Sequence, residues 1–141
     1  MKLSKLLSVS TFVGAALLAT SAQAVSPTNV SGLVGAWYNN NPNTRGITKI
    51  LVLKLGSGLL FKSWGACHPT DCEHSWVWAY PHSASVSSNT AVGFTSFRNS
   101  GFAYSRFAAK RFGGFLRMDD FTTFASGDSR KNYTMTEYFH H

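Results

Sequence analysis

The sequence predicts an all-β protein, an antiparallel up-and-down barrel of about eight strands, and three observations carry that prediction. Short apolar or alternating runs recur at intervals of about 8 to 15 residues once residue 24 is passed. Gly, Asn, Ser and Pro clusters separate them, and no segment there sustains a helical period with caps. Closing such a chain into a barrel removes open edges, and the short connections suit a meander in which neighbours in sequence become neighbours in the sheet.

The first residues have the three parts of a secretory signal peptide. Lys2 and Lys5 form a basic start, Leu6 to Ala19 an apolar run, and Ala22-Gln23-Ala24 a small-x-small cleavage site, so the signal covers residues 1–24. The run is too short and too rich in Ser, Thr and Gly to span a bilayer, and no later stretch approaches about 18 apolar residues, so no transmembrane segment is expected in the mature chain. Residues 25–141 then form a single barrel domain, periplasmic or secreted. The formal charge is +7 for the whole chain, and loss of Lys2 and Lys5 leaves +5. That balance favours an acidic partner. The cations stand singly within strand-like runs, unlike the dense basic tract of a nucleic-acid binder, so nucleic acid is not expected as a ligand.

Taken in order, Val25 to Gly32 reads as a short mobile lead-in of Ser, Pro, Thr and Asn. Leu33 to Asn39 is a first strand, and Asn39 to Gly46 a dense turn. Ile47 to Leu55 is rich in β-branched residues and is the clearest strand; Gly56-Ser57-Gly58 turns it into Leu59 to Trp64. Trp76, Trp78 and Tyr80 recur with period two on a strand that Pro81 is expected to end. Ala91 to Phe97 and Phe102 to Phe112 follow, separated by a turn at Arg98-Asn99-Ser100-Gly101, and Gly113-Gly114 leads to Phe115 to Phe124, with a bulge expected around Asp119-Asp120. Lys131 to His141 closes the chain, with Tyr133, Met135, Glu137 and Phe139 on one face.

The stretch Trp64 to His74 holds both cysteines, two of the five histidines and two of the six acidic residues. In an exported protein Cys67 and Cys72 are expected to pair. So short a ring stabilises by roughly 2 kcal/mol on the chain-entropy model, and its larger effect is to hold the loop in one shape. Pro69 restricts the backbone, while Thr70 and Asp71 accept local hydrogen bonds; Arg45 and Lys49 are the cations expected near Asp71 and Glu73. His68 and His74 are candidate metal ligands, with His140 and His141 as further donors if the C-terminus folds back, but the spacing matches no strong zinc pattern. No cofactor is implied. With the thiols paired and no nucleophile elbow present, a small hydrolase working through His68 is the weaker alternative to binding.

The aromatic residues admit two readings. Most such rings pack cores, but Trp37, Trp76, Trp78 and Tyr80 turned inward would line an apolar pocket.

Three resemblances bear on this. Gly35-Ala36-Trp37-Tyr38-Asn39 on a first strand resembles the opening Gly-x-Trp of lipocalin and avidin-type barrels, which implies a meander barrel with an interior pocket. A wider set of residues, Trp37-Tyr38-Asn39, Thr44 to Ile50, Trp64 to Cys72, Ser129-Arg130 and Tyr133 to Phe139, resembles small exported bacterial proteins of unknown function that share a Trp-Gly-x-Cys-His-Pro-Thr-Asp-Cys signature. That group implies no activity. It places a Trp-Gly pair after the second cysteine, where this chain has His74-Ser75-Trp76. The Cys-x-Pro-x-Asp-Cys spacing is also similar to the protruding disulfide loop of the periplasmic inhibitor of vertebrate lysozyme, in which a His enters the lysozyme cleft. Thr70 stands at that place here and His68 two residues earlier, and a basic inhibitor is poorly matched to a basic lysozyme.

The expected function is therefore an exported, noncatalytic binding module for a protein, small-molecule or glycan ligand. Trp64, His68, Pro69, Thr70, Asp71 and Trp76 would form its recognition loop, and Trp37, Trp78 and Tyr80 an aromatic pocket. Periplasmic inhibition of a lysozyme or another hydrolase is the alternative, with metal binding behind it.

Overall fold

Side chains alternate between two faces along every strand, and over residues 25–141, which this computed structural model describes, the alternation builds one closed sheet. The strands are β1 (Gly35–Asn39), β2 (Ile47–Leu55), β3 (Gly58–Gly65), β4 (Cys72–Glu73), β5 (Val77–Ser83), β6 (Ala91–Asn99), β7 (Ala103–Phe112), β8 (Phe115–Phe124) and β9 (Tyr133–His140). All pair antiparallel in the meander order β1-β2-β3-β5-β6-β7-β8-β9, and β9 returns to β1 with Tyr38 opposite His140 and Asn39 opposite Phe139. The expected barrel of eight strands is thus closed. The short β4 is added where β3 outruns β5: Trp64 faces Glu73 and Gly65 faces Cys72, whereas β5 takes the other half of β3, from Leu59 opposite Ala79 to Phe61 opposite Val77. The signal peptide expected over residues 1–24 lies outside the described residues, among which no helix is long and apolar enough to cross a membrane.

The interior is divided along the barrel axis. At the end carrying the β2–β3, β5–β6 and β7–β8 turns, the inward side chains are Trp37, Val52, Leu59, Ala79, Ala109, Leu116 and Phe139, all buried. Phe61, Phe94, Phe107 and Met118 fill the middle, where the Phe61 ring lies 5.4 Å from Phe94 and 5.1 Å from Phe107. Towards the other end, the one carrying the disulfide loop, the same strands continue inward as Ser63, Ser96, Arg98, Ser105, Asp120, Thr122 and Glu137. One end is an apolar plug and the other a polar mouth.

The plug uses the lead-in. Rather than a mobile segment, residues 29–33 cross the apolar end: Asn29 bridges Thr90, its N–H donating to Asn89 O at 3.1 Å and its C=O accepting from Ala91 N at 2.8 Å, while Val30 and Leu33 are buried. Two apolar side chains with no other place to hide are reason enough for the chain to stay there. The Trp37 indole N–H donates to Leu33 O at 3.0 Å, which satisfies its polar atom without water. His141 lies against the Trp37 ring, 3.6 Å between centroids, so the last residue has a packing role.

Three local expectations differ from what forms: Arg98 lies inside β6 rather than in a turn, and the other two concern Pro81 and Asp119-Asp120. β5 runs through Pro81 to Ser83, because β3 begins pairing at Leu59 opposite Ala79 and offers no ladder bond that Pro81 would break. Asp119-Asp120 needs no bulge: the register stays regular, Asp119 points out to Thr136 and Arg117, and Asp120 points in. The irregularities lie instead at Ile47/Lys49 and His82/Ser83. At Gly93 the strands come so close that a Cβ would sit 2.3 Å from the Ala109 carbonyl oxygen, so only glycine fits.

Candidate functional site

The disulfide loop is the hairpin between β3 and β4. Cys67 and Cys72 are bonded, with Cα atoms 5.4 Å apart, and the His68–Pro69 peptide is cis. Its base is tied down twice. Ala66 N donates to Gly46 O at 2.8 Å, and the Thr48 hydroxyl bonds Asp71 Oδ2 at 2.5 Å. Glu73 pairs with Lys62, so neither acid takes Arg45 or Lys49 as expected. Lys49 instead lies over the Trp64 ring at 4.0 Å, and Lys62 sits between Trp64 and Trp76 at 5.4 and 5.3 Å. His68, Pro69 and Thr70 are left exposed at the tip. Replacing both cysteines with serine is expected to keep the barrel and lower stability by roughly 2 kcal/mol. Thermal unfolding and limited proteolysis check this, and unchanged stability together with an uncut loop would contradict it.

Gly46, which holds the loop, is itself held by Glu137. This carboxylate points inward from β9, 9% exposed, and accepts from Thr44 Oγ1 at 2.5 Å, Asn39 Nδ2 at 2.9 Å and Ile47 N at 3.0 Å. A Cβ on Gly46 would lie 2.6 Å from Glu137 Oε1, so the backbone passes directly over the carboxylate. One buried acid therefore positions the β1–β2 loop, and through it the disulfide loop.

Below the two loops lies a cavity of about 340 Å³. Gly65, Ala66, Cys67 and Cys72 form one side of its rim, and Arg98, Asp120, His74, Glu137 and Phe107 are among its walls. The Arg98 guanidinium, 8% exposed, donates from Nη2 to Ser63 Oγ at 2.9 Å and lies 5.1 Å from the Phe107 ring centroid and 5.8 Å from that of Phe61. Ser63 in turn bonds His74 Nδ1 at 3.0 Å. Burial, with the Arg98 charge added, pushes the His74 pKa down, and a hydrogen bond to the Ser63 backbone opposes the shift. At the rim Arg130 is clasped by Asp128 at 2.7 Å and stacks 4.2 Å from the Phe124 centroid. The same guanidinium holds the Asp128 carboxyl down to about 2.

Asp120 behaves in the opposite way. Burial raises its pKa to about 6; the Thr122 hydroxyl and the Arg98 charge offset part of the burial effect, and Glu137 adds to it. Its folded pKa lies above the unfolded value, so its contribution to stability is full below about pH 4 and is lost as pH rises through about 6. His74 has the reverse sign, losing stability as pH falls through its ordinary range, but it is common to wild type and an Asp120 variant. Asp120→Asn is expected to be at least as stable as wild type at pH 7.5, with the two converging or crossing by pH 4. Urea unfolding at both pH values is the check, and a variant clearly less stable at pH 7.5 would contradict the assignment.

The predicted site residues separate into three places. Trp64, His68, Pro69, Thr70, Asp71 and Trp76 stay together on or beside the loop. Trp37 is in the apolar plug, 0% exposed, and lines no part of the mouth cavity. Trp76, Trp78 and Tyr80 share a face as their spacing requires, but it is the outer one: they are 38%, 54% and 62% exposed, so the inward aromatic pocket is corrected to an outward strip. Ala79 takes the inner position between them, since a small residue is what the packed interior admits. His74 turns into the barrel, away from His68 on the loop, and no cluster of three metal-ligating side chains occurs among the described residues.

Sequence reasoning missed Ser63, Arg98, Asp120 and Glu137. The available signal was parity: Arg98 shares it with Phe94 and Ser96, and Asp120 with Leu116 and Met118. A wider groove of about 700 Å³ runs between residues 25–27 and the β5–β6 connection, with five serines and no Asp, Glu, Lys or Arg in its walls. The mouth cavity has the chemistry. Comparison with protein-family models, curated proteins and solved structures found no match for this chain.

Proposed function

We propose that this protein is an exported, noncatalytic binding module whose recognition site is the disulfide end of the barrel, with the loop and the cavity beneath it acting as one surface. The observation that carries the reading is the cavity rim: the residues that close the disulfide ring also wall the polar mouth, so a ligand seated in the mouth touches both. The ring and the Glu137 bonds hold that rim in place before a ligand arrives, which reduces the ordering cost of binding. A net charge of +5 after signal removal favours an acidic partner. A periplasmic or secreted location agrees with the disulfide.

Catalysis fits the same atoms less well. Ser63 and His74 have the spacing of a nucleophile and its base, but Ser63 is 0% exposed, and burial, with the Arg98 charge added, depresses the basicity the histidine would need. The test is a pull-down from the native compartment with the intact protein, the Cys67→Ser/Cys72→Ser variant and a variant altered at Ser85 to Ser88 on the opposite end. Loss of the partner with the first variant alone is expected; loss with the second alone would refute the reading.

A further inference from the structure

Among the described residues of the mouth, Arg98 is the group whose own partners do not account for it. A guanidinium offers five N–H donors, and one buried in a barrel wall is ordinarily met by a carboxylate or several carbonyls. Here Nη2 reaches Ser63, and Nε is buried with no partner at all. Neither acid nearby forms a hydrogen bond or ion pair with it, although Asp120 is close enough to act on it through charge. Glu137 spends its oxygens on Thr44, Asn39 and Ile47, and Asp120, whose Oδ1 accepts from Thr122 at 3.3 Å, forms no ion pair with Arg98. The guanidinium is underbonded, and its contacts with the Phe61 and Phe107 rings and its one bond to Ser63 hold it in place.

From this we infer that the mouth cavity binds a small organic monocarboxylate, its carboxylate on the Arg98 guanidinium and its apolar body against Phe102, Phe124, Tyr133 and Met135. The inference rests on the proposed binding site at the barrel mouth and names its ligand class. A carboxylate matches the fork of an arginine with two parallel hydrogen bonds, and the charge-assisted pair gains strength in a low-dielectric site. A phosphate dianion suits the walls less, because Asp120 and Glu137 would face a second negative charge. The volume, about 340 Å³, is at the small end for ligand sites and sets a limit on the body the acid can carry.

Benzoate, benzyl alcohol and benzylamine share one ring and differ in charge, so they separate the two claims. Titration of each into the full mature chain, followed by calorimetry and by amide shifts at residues 45–46, 65–74, 98–105 and 120–137, is expected to rank benzoate about tenfold or more above benzyl alcohol, with benzylamine weakest. Arg98→Met, checked for fold by circular dichroism, should abolish the preference. Should that variant not fold, Arg98→Lys, which keeps charge but loses the fork, should reduce it several-fold. Equal affinity for benzoate and benzyl alcohol at the mouth would overturn the carboxylate inference and leave the mouth as a site. No shift at the mouth with any probe would overturn the inference and remove the cavity from the proposed recognition surface, leaving the loop to be tested by pull-down.

Discussion

Trp37→Ala is expected to lower stability by about 3–5 kcal/mol, the range for emptying a large aromatic site in a core. The ring is wholly buried, packs under His141, and donates its N–H to the Leu33 carbonyl, so the substitution opens a hole and also releases the segment that caps the apolar end. A loss of that size is a large share of the 5–15 kcal/mol typical of a small domain. Trp37→Phe keeps most of the apolar volume and forfeits the hydrogen bond, and should cost less than half as much. Urea unfolding of both variants gives the comparison. A change below 1 kcal/mol for the alanine variant would mean that Trp37 is not the centre of the plug.

Glu137→Ala should be the most damaging change at the polar end, by about 3 kcal/mol, since it strands the buried Ile47 amide and removes charge-assisted bonds from Thr44 and Asn39. Its signature differs from that of Trp37. Because the carboxylate fixes residues 39–47, and Gly46 fixes Ala66, amide exchange should rise in the β1–β2 loop and in the disulfide loop together. Thr44→Val removes a single bond and should cost about 1 kcal/mol. Exchange that rose at residues 40–46 while residues 66–71 stayed protected would break the proposed link between the loops.

The barrel was legible in the sequence because local chemistry dictates it. β-Branched and aromatic residues at alternate positions, with glycines at the turns, specify strands and their order, and Phe115 to Phe124 forms over the expected range. The strand of Trp76, Trp78 and Tyr80 shows where that reasoning stops. Period two states that they share a face, but which face is decided by the room left inside: Trp37, Phe61, Phe94, Phe107 and Phe139 already fill the interior of the eight-stranded barrel, which takes Ala79 there and not three further rings. Pro81 misled for a similar reason, since whether a proline ends a strand depends on whether a neighbour needs its N–H.

The candidate site was half legible. The disulfide loop announces itself through Cys67 and Cys72, which the expected export predicts to pair, and the two are bonded. The cavity below it does not, because its residues come from six separate stretches of chain and each looks ordinary alone. Arg98 sat in an apparent turn, and Glu137 looked like one polar residue on a mixed strand. Only closure of β9 onto β1 brings Glu137 under Gly46, with Arg98 lining the same mouth. Long-range pairing of this kind leaves no local trace in sequence.

The loop and the cavity acting as one recognition end is the central claim, and crosslinking in the cell that makes the protein tests it most directly. A photoreactive residue would be placed in turn at Thr70 on the loop, at Tyr133 on the cavity rim, at Trp78 on the outer strip and at Ser87 on the opposite end. The account predicts that Thr70 and Tyr133 capture the same partner while Trp78 and Ser87 capture none. Capture from Trp78 or Ser87, with Thr70 and Tyr133 silent, would contradict it.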